Sequence, residues 1–104
     1  MLKVYYVALE MLAELGPVIG QIEKRDVDLA RQLRRASSSV ALNMAEGSGS
    51  RGGIRNARYR TALGSARETR ACLDVAAALG YCKTGENVRG RLSIVGVTLW
   101  KLTK

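Results

Sequence analysis

Residues 26–50 read DVDLARQLRRASSSVALNMAEGSGS, a helical pattern with a start signal and a stop signal. Apolar residues recur in it at the spacing of an α-helix, about 100° per residue. They are Leu29, Leu33, Ala36, Val40 and Met44. Asp26 precedes them as a candidate N-cap, and the glycine-serine run at residues 47–50 interrupts the pattern. The stretch therefore predicts an amphipathic helix over Asp26–Glu46, followed by a glycine-rich connector.

Towards the N-terminus, the same periodicity predicts a helix at about Leu2–Leu15. Gly16-Pro17 should end this helix, because a proline disfavours the helical conformation in the residue before it. Residues 17–25 then form a connector. One apolar stripe of the helix is assigned to the core, and it consists of Leu2, Tyr5, Tyr6, Leu9, Leu12 and Ala13.

Two more helices are predicted after the glycine-rich connector. The third runs from Arg51 or Ile54 to Leu79 with Gly80 as its C-terminal cap, and its core stripe contains Ala62, Ala66, Thr69, Leu73 and Ala76. The fourth runs from about Glu86 to Leu102, with a heptad stripe of Val88, Leu92, Val95, Leu99 and Leu102. Four helices with short connections predict an all-α fold, an up-and-down antiparallel four-helix bundle formed by residues 1–104 as one domain.

Helices 1 and 4 carry more apolar surface than one bundle needs. Helix 1 has a second stripe opposite the first, and helix 4 has large apolar residues away from its heptad stripe. A large apolar patch left on a surface usually marks an interface. We therefore predict a homo-oligomer whose interface includes Val4, Met11, Leu15, Ile94, Val97 and Trp100. A tilted packing that buries both stripes within one chain is the alternative.

The positive charge is concentrated in the middle of the chain. The net charge is +8, and residues 29–72 contribute +7 of it, with nine arginines against Glu46 and Glu68. Such a basic segment favours RNA or DNA as a partner, although a solvated, solubilising surface would show the same composition. Phosphate contacts are predicted at the start of helix 3, by Arg51, Arg55 and Arg58. One alternative is a set of salt bridges from these arginines to Glu46 or to the acidic helix 1 of a neighbouring chain. The other is a second basic face formed by Arg60, Arg67 and Arg70.

Several polar residues are predicted to lie inside the bundle. Glu68 falls towards the apolar half of helix 3 in a helical projection, and a buried carboxylate needs a charged partner. Arg35 of helix 2 is the candidate partner. The whole predicted network, which would set the register of helices 2 and 3, contains Gln32, Arg35, Asn43, Glu46 and Glu68.

Residues suited to catalysis are missing or isolated. The chain has no histidine, so the serines at 37–39 lack the usual base. The stretch at 47–52 matches G-x-G-x-x-G but follows a helix, whereas a dinucleotide site needs a preceding strand. Its two cysteines, Cys72 and Cys82, match neither a disulfide scaffold nor a zinc pattern. We therefore predict a protein that is not an enzyme, with no catalytic residue, cofactor or metal.

The hydropathy pattern bears on localisation. No apolar run approaches the roughly 18–20 residues that a membrane span needs. The first residues also lack the basic region and cleavage site of a secretory signal. These features predict a cytoplasmic protein without a membrane partner.

Short motifs in helices 2 and 3 occur in a specific combination. They are Gln32-Leu-Arg-Arg-Ala36, Asn43-Met-Ala-Glu-Gly47, Ala62-Leu-Gly-Ser-Ala66 followed by Glu68, and Ala78-Leu-Gly-Tyr81. With these motifs, residues 29–81 resemble the four-helix-bundle family encoded by intervening sequences in bacterial 23S ribosomal RNA genes. The resemblance implies an up-and-down bundle that often assembles as a ring-shaped homopentamer.

The resemblance also bears on function. The family includes distant relatives that act as accessory proteins of diversity-generating retroelements, where they bind nucleic acid and reverse transcriptase. The first hypothesis is therefore a non-catalytic, oligomeric protein that binds RNA or DNA or acts as an accessory factor. The second is a scaffold whose basic surface docks an acidic protein.

Overall fold

The computed structural model describes residues 2–83 and 85–104. They form four helices: α1 (Lys3–Glu23), α2 (Val27–Ser48), α3 (Gly52–Ala78) and α4 (Glu86–Thr103). Each helix packs against its two neighbours in the order α1, α2, α3, α4 and back to α1. The bundle is elongated, with dimensions of 42 × 23 × 20 Å. The predicted all-α four-helix bundle is confirmed.

Helix α1 continues through Pro17 to Glu23, so the predicted end at Gly16 and the connector at 17–25 are wrong. A proline inside a helix costs about 3 kcal/mol or more. Two further turns bring Ile19 and Ile22 into the core, and burying each such side chain contributes about 1.5–3 kcal/mol. Pro17 itself lies on the exposed side of the helix. Packing of the later turns therefore outweighs the proline.

The face of α1 that meets the core is rotated away from the predicted one. The buried stripe consists of Val4, Ala8, Met11, Leu15, Ile19 and Ile22. Of the predicted stripe, Leu2, Tyr5 and Leu12 are half-buried and pack against the core. Tyr6, Leu9 and Ala13 are exposed, so the assignment of these three to the core was wrong. So was the placement of Val4, Met11 and Leu15 at an oligomer interface, because these side chains pack inside the chain's own core.

The physical reason lies in the second half of α1. There the buried stripe continues with Ile19 and Ile22, whereas the outward stripe continues with Gly16, Pro17 and Gly20. Only the buried stripe can supply apolar contacts along the whole bundle. Over residues 2–15 alone, the two stripes are similarly apolar.

Helices α2 and α3 follow their predicted core stripes. All five predicted residues of α3 are buried, and in α2 four are buried and Leu29 is half-buried. Asp26 caps α2, since its Oδ1 accepts a hydrogen bond from the Leu29 N–H at 2.9 Å. Gly80 ends α3 with a φ of 75°, and the Tyr81 N–H donates to the Ala76 carbonyl at 2.9 Å. Both predicted caps are confirmed.

The α2–α3 connection is tighter than the glycine-rich sequence suggests. Gly47 and Ser48 still belong to α2, so the predicted connector shortens to residues 49–51. A Cβ atom on Gly47 would lie 2.4 Å from Cε1 of Tyr59. Only glycine therefore allows the Tyr59 ring this close to the end of α2.

Helix α4 buries four of its five predicted residues, namely Val88, Leu92, Val95 and Leu99. Leu102 is 43% exposed, and Thr103 is buried in its place. An α-helix drifts by about 20° per heptad from an exact seven-residue repeat. After two heptads from Val88, this drift has turned Leu102 out of the core, so that part of the prediction is wrong.

Candidate functional site

The arginines at the start of α3 are engaged with the end of α2. Arg58 lies 3.1 Å from Oε2 of Glu46, and Nε of Arg55 donates to the Ser50 carbonyl at 3.0 Å. Arg51 is exposed. The predicted phosphate-contact residues therefore lie near each other, but the alternative of a salt bridge to Glu46 holds for Arg58. That ion pair is half-exposed and contributes at most about 1 kcal/mol.

The second predicted basic face lies on the side of α3 that meets α4. Arg60 donates from Nη2 to the Thr103 carbonyl, at 3.4 Å, and so joins the two helices. Arg67 and Arg70 are exposed. Among residues with described side chains, neither has an ion-pair or hydrogen-bond partner. Their guanidinium groups are available for an outside ligand.

Arg67 and Arg70 line a groove of about 360 Å³ between α3 and α4. Leu63 and Leu92 are the buried part of its lining. The rest of the α4 wall is formed by Arg89 at one end, followed by Ser93, Gly96, Val97 and Trp100. The groove is thus basic on the α3 wall and largely apolar on the α4 wall.

Cross-helix contacts bound the groove at both ends. One is the hydrogen bond from Arg60 to Thr103. The other is the salt bridge between Arg89 and Asp74, with 2.9 Å between Nη1 and Oδ1. Because α3 and α4 run in opposite directions, these contacts lie on either side of Arg67 and Arg70. The groove is therefore a short slot with a cross-helix contact at each end.

The charges differ on the two sides of α4. On the side of α1, Arg91 binds both Glu10 and Glu14. The hydrogen bond with Glu14 is the main cause that raises the pKa of Arg91. On the side of α3, none of the groove-lining residues that the structure describes is acidic. The acidic residues of α1 thus neutralise one side of α4 and leave the other side basic.

The predicted internal polar network does not form. Glu68, Arg35, Gln32 and Glu46 are exposed, and no salt bridge joins Arg35 to Glu68. The helical projection placed Glu68 beside Ile54, Cys72, Val75 and Leu79. Cys72 is buried, but the other three are themselves exposed. The core stripe of α3 is rich in alanine and is therefore narrow. Part of the apolar half of α3 consequently stays outside the core.

A smaller polar contact, missed in the sequence, joins α2 to α3. Oγ of Ser65 donates to Oγ of Ser39 at 2.8 Å, and Nδ2 of Asn43 donates to the same Ser39 oxygen at 3.0 Å. Asn43 is the one predicted network residue at this contact. Serine in a helix usually bonds its own backbone, so nothing local marks these two hydroxyls as cross-helix partners.

The cysteines and acidic residues offer no reactive cluster. Cys72 and Cys82 are free thiols. Burial, and to a smaller extent Glu68, raise the pKa of Cys72. Burial also raises the pKa of Cys82, partly opposed by Arg89. Neither thiol is activated as a nucleophile. Across the described part of the chain, no three Cys, Asp or Glu side chains lie together as metal ligands.

Comparison with protein families matches residues 1–97 to the family described as 23S rRNA-intervening sequence protein. The chain belongs to this family. The match extends the resemblance of residues 29–81 across α1 and into α4, and it confirms that resemblance. No curated protein matches the chain.

In this intervening-sequence protein, three large apolar side chains of α4 are about half exposed to solvent. Ile94 is 53% exposed and Trp100 is 48% exposed, and Val97 is similar. The α4 residues of the predicted interface are therefore exposed, and on α1 the large exposed apolar residues are Tyr6 and Leu9. None of the helices, over the residues described, is long and apolar enough to cross a bilayer.

Proposed function

We propose that this family member is a non-catalytic, self-associating protein that binds nucleic acid along its α3–α4 face. The observation that carries the proposal is the pair of unpartnered guanidinium groups of Arg67 and Arg70 in the groove. Five other arginines contact carboxylates, namely Arg31, Arg34, Arg58, Arg89 and Arg91. Arg35 and Arg51 are also exposed without a described carboxylate partner, but they do not line this groove. A guanidinium without a carboxylate is suited to bind phosphate, often through two parallel hydrogen bonds.

This binding depends on phosphate contacts and therefore shows little sequence preference. Arg51 and Arg55 at the start of α3 add a second cationic region on the same helix. If several chains assemble, the basic faces repeat, and weak contacts add through avidity. Affinity should fall steeply with salt, because bound phosphates release their counterions.

Self-association is the second part of the proposal. Tyr6 and Leu9 of α1 and Ile94 of α4 are large and exposed. Arg91 joins α4 to Glu10 and Glu14 on the same side of the bundle. Together these residues form an apolar surface around a neutralised ion cluster, which suits a contact between identical chains. The family resemblance favours a homopentamer.

The test of nucleic-acid binding is a titration of labelled RNA and DNA at low and moderate salt. The variant Arg67→Ala/Arg70→Ala should bind at least about tenfold more weakly than wild type, since charged hydrogen bonds contribute about 1.5–3 kcal/mol each. The matched control is Arg31→Ala/Arg34→Ala. It removes the same charge at the same spacing, from arginines that already contact Asp28 and Glu23.

Each outcome has a distinct meaning. A similar loss in the variant and its control would show that net charge, and not this face, governs binding. A larger loss in Arg51→Ala/Arg55→Ala/Arg58→Ala would move the site to the start of α3. If wild type binds neither RNA nor DNA at low salt, the proposal is wrong.

The second candidate function is a scaffold that docks an acidic protein. The observation in its favour is the apolar α4 wall, where Val97 and Trp100 face the arginines across the groove. An amphipathic helix with carboxylates would match both walls. Purification of the protein from its own cells, with and without nuclease, separates the two candidates by what remains bound.

A further inference from the structure

We infer that the α3–α4 groove holds an unpaired base against Trp100, so that this face selects single-stranded over duplex nucleic acid. The inference rests on the proposed function and names the form of nucleic acid that the groove accepts. It follows from the position of one aromatic ring, the space beside it and the cations around it.

Trp100 is the only tryptophan of the chain, and half of its surface is exposed at the groove. It lies six residues after Ile94, about 240° further around the helix. The indole therefore faces α3, away from the α1 side proposed for self-association. The ammonium group of Lys104 lies over this ring, and about half of the Trp100 side chain remains open to solvent.

Gly96 leaves room beside the indole. It is on the same wall, one turn before Trp100, and a Cβ atom built on it meets no heavy atom within 4 Å. The groove volume of about 360 Å³ is at the small end of the range for ligand sites. Bounded at both ends, the slot accommodates a flat group of limited size.

The cations surround this space on the sides where a sugar-phosphate chain would run. Arg67 and Arg70 lie one helical turn apart on the opposite wall. The ammonium group of Lys104 lies 4.8 Å from the centre of a Trp100 ring. An aromatic platform beside cations is the arrangement that binds single strands without sequence preference.

A duplex cannot use this arrangement. Its bases are already paired and stacked, so the indole meets no free base face unless a base is extruded at a cost of a few kcal/mol in general. Phosphate contacts to Arg67 and Arg70 remain open to either form. Preference for single strands therefore depends on Trp100, and overall affinity depends on the arginines.

The experiment compares three labelled probes at one low salt concentration: a single strand, the same strand with abasic sites, and a hairpin duplex. Intact single strand should bind wild type about 5- to 100-fold more tightly than the abasic strand, the factor that one base–aromatic stack contributes. Because Trp100 is the only tryptophan, its fluorescence should fall with the intact strand and stay unchanged with the abasic strand.

Two kinds of variant test the site itself. Trp100→Leu should lose the preference for the intact strand, while Trp100→Phe should keep most of it. Gly96→Leu fills the slot and replaces a helical glycine with a better helix former, so it should lose the preference without loss of fold. Circular dichroism and thermal melting check the fold of each variant.

The outcomes separate this inference from the proposed function. If intact and abasic strands bind equally and Gly96→Leu changes nothing, the inference is overturned, while phosphate binding by the arginines stands. If no probe binds, both fail. If Trp100 responds only to an acidic amphipathic peptide added in place of the strands, the groove docks a protein and the inference is overturned.

Discussion

At the residue scale, Gly47 shows how one missing side chain sets the distance between two helices. The Tyr59 ring occupies the space that a Cβ atom would need, and Oγ of Ser48 lies 3.4 Å from the Tyr59 hydroxyl oxygen. We predict that Gly47→Ala lowers the free energy of unfolding by about 1–3 kcal/mol, the usual cost of an overpacked contact. Denaturant or thermal unfolding measures this change.

The control for Gly47→Ala is Gly53→Ala, because Gly53 also lies in a helix but has open space around it. That variant should be neutral or slightly more stable. In a Tyr59→Leu background the cost of Gly47→Ala should shrink, since the ring edge is gone. An equal cost in both backgrounds would show that Tyr59 is not the obstacle.

Glu68 is the second residue with a defined expectation. The Glu68 side chain is exposed and has no salt bridge. Glu68→Ala should therefore change the free energy of unfolding by less than about 0.5 kcal/mol. A buried ion pair broken at this position would cost about 3–5 kcal/mol instead. Thermal melting distinguishes the two values, and a large loss would contradict the exposed position.

At the scale of the element, α1 is a helix that tertiary packing extends through a proline. Pro17 is exposed and leaves the carbonyl of residue 13 without its helical donor. We predict that Pro17→Ala raises the free energy of unfolding by about 1–3 kcal/mol, since alanine restores the N–H and removes the ring clash. Chemical denaturation measures it.

Gly20→Ala is the matched control for Pro17→Ala, because this position is also exposed in α1 and has open space. It should gain only the propensity difference of about 0.5–1 kcal/mol. If Pro17→Ala destabilises the protein, this prediction is wrong, and α1 depends on a bend at the proline.

At the scale of the whole molecule, the corrected face of α1 changes the test of self-association. Met11 is fully buried, so a charge there would unfold the chain and reveal nothing about assembly. We predict that Leu9→Glu and Ile94→Glu shift the protein to smaller species with little loss of stability. Light scattering of wild type should give several times the mass of one chain.

Val27→Glu is the control for these charge variants. Val27 is as exposed as Tyr6, at 54%, but lies at the start of α2 outside the proposed surface. It should leave the assembly unchanged. A monomeric wild type at micromolar concentration, or equal dissociation in all three variants, would contradict the proposed surface.

The features predicted correctly from the sequence depend on residues within a turn or two of each other. The Asp26 cap, the Gly80 cap, the α3 core stripe and the fold class are of this kind. Capping geometry and helical period are local properties of the chain. The exposure of Arg60, Arg67 and Arg70 also followed from the helical angle, whereas their position beside α4 did not.

The remaining features arise only when helices meet. The total apolar contact along the bundle decided which stripe of α1 is buried and whether Pro17 ends the helix. This contact outweighs the local helix preference of the residues around Pro17. The exposure of Glu68 followed from the narrow alanine stripe of α3. The groove beside Trp100 needed a second helix, because its two walls are about 30 residues apart in the chain and antiparallel packing brings them together.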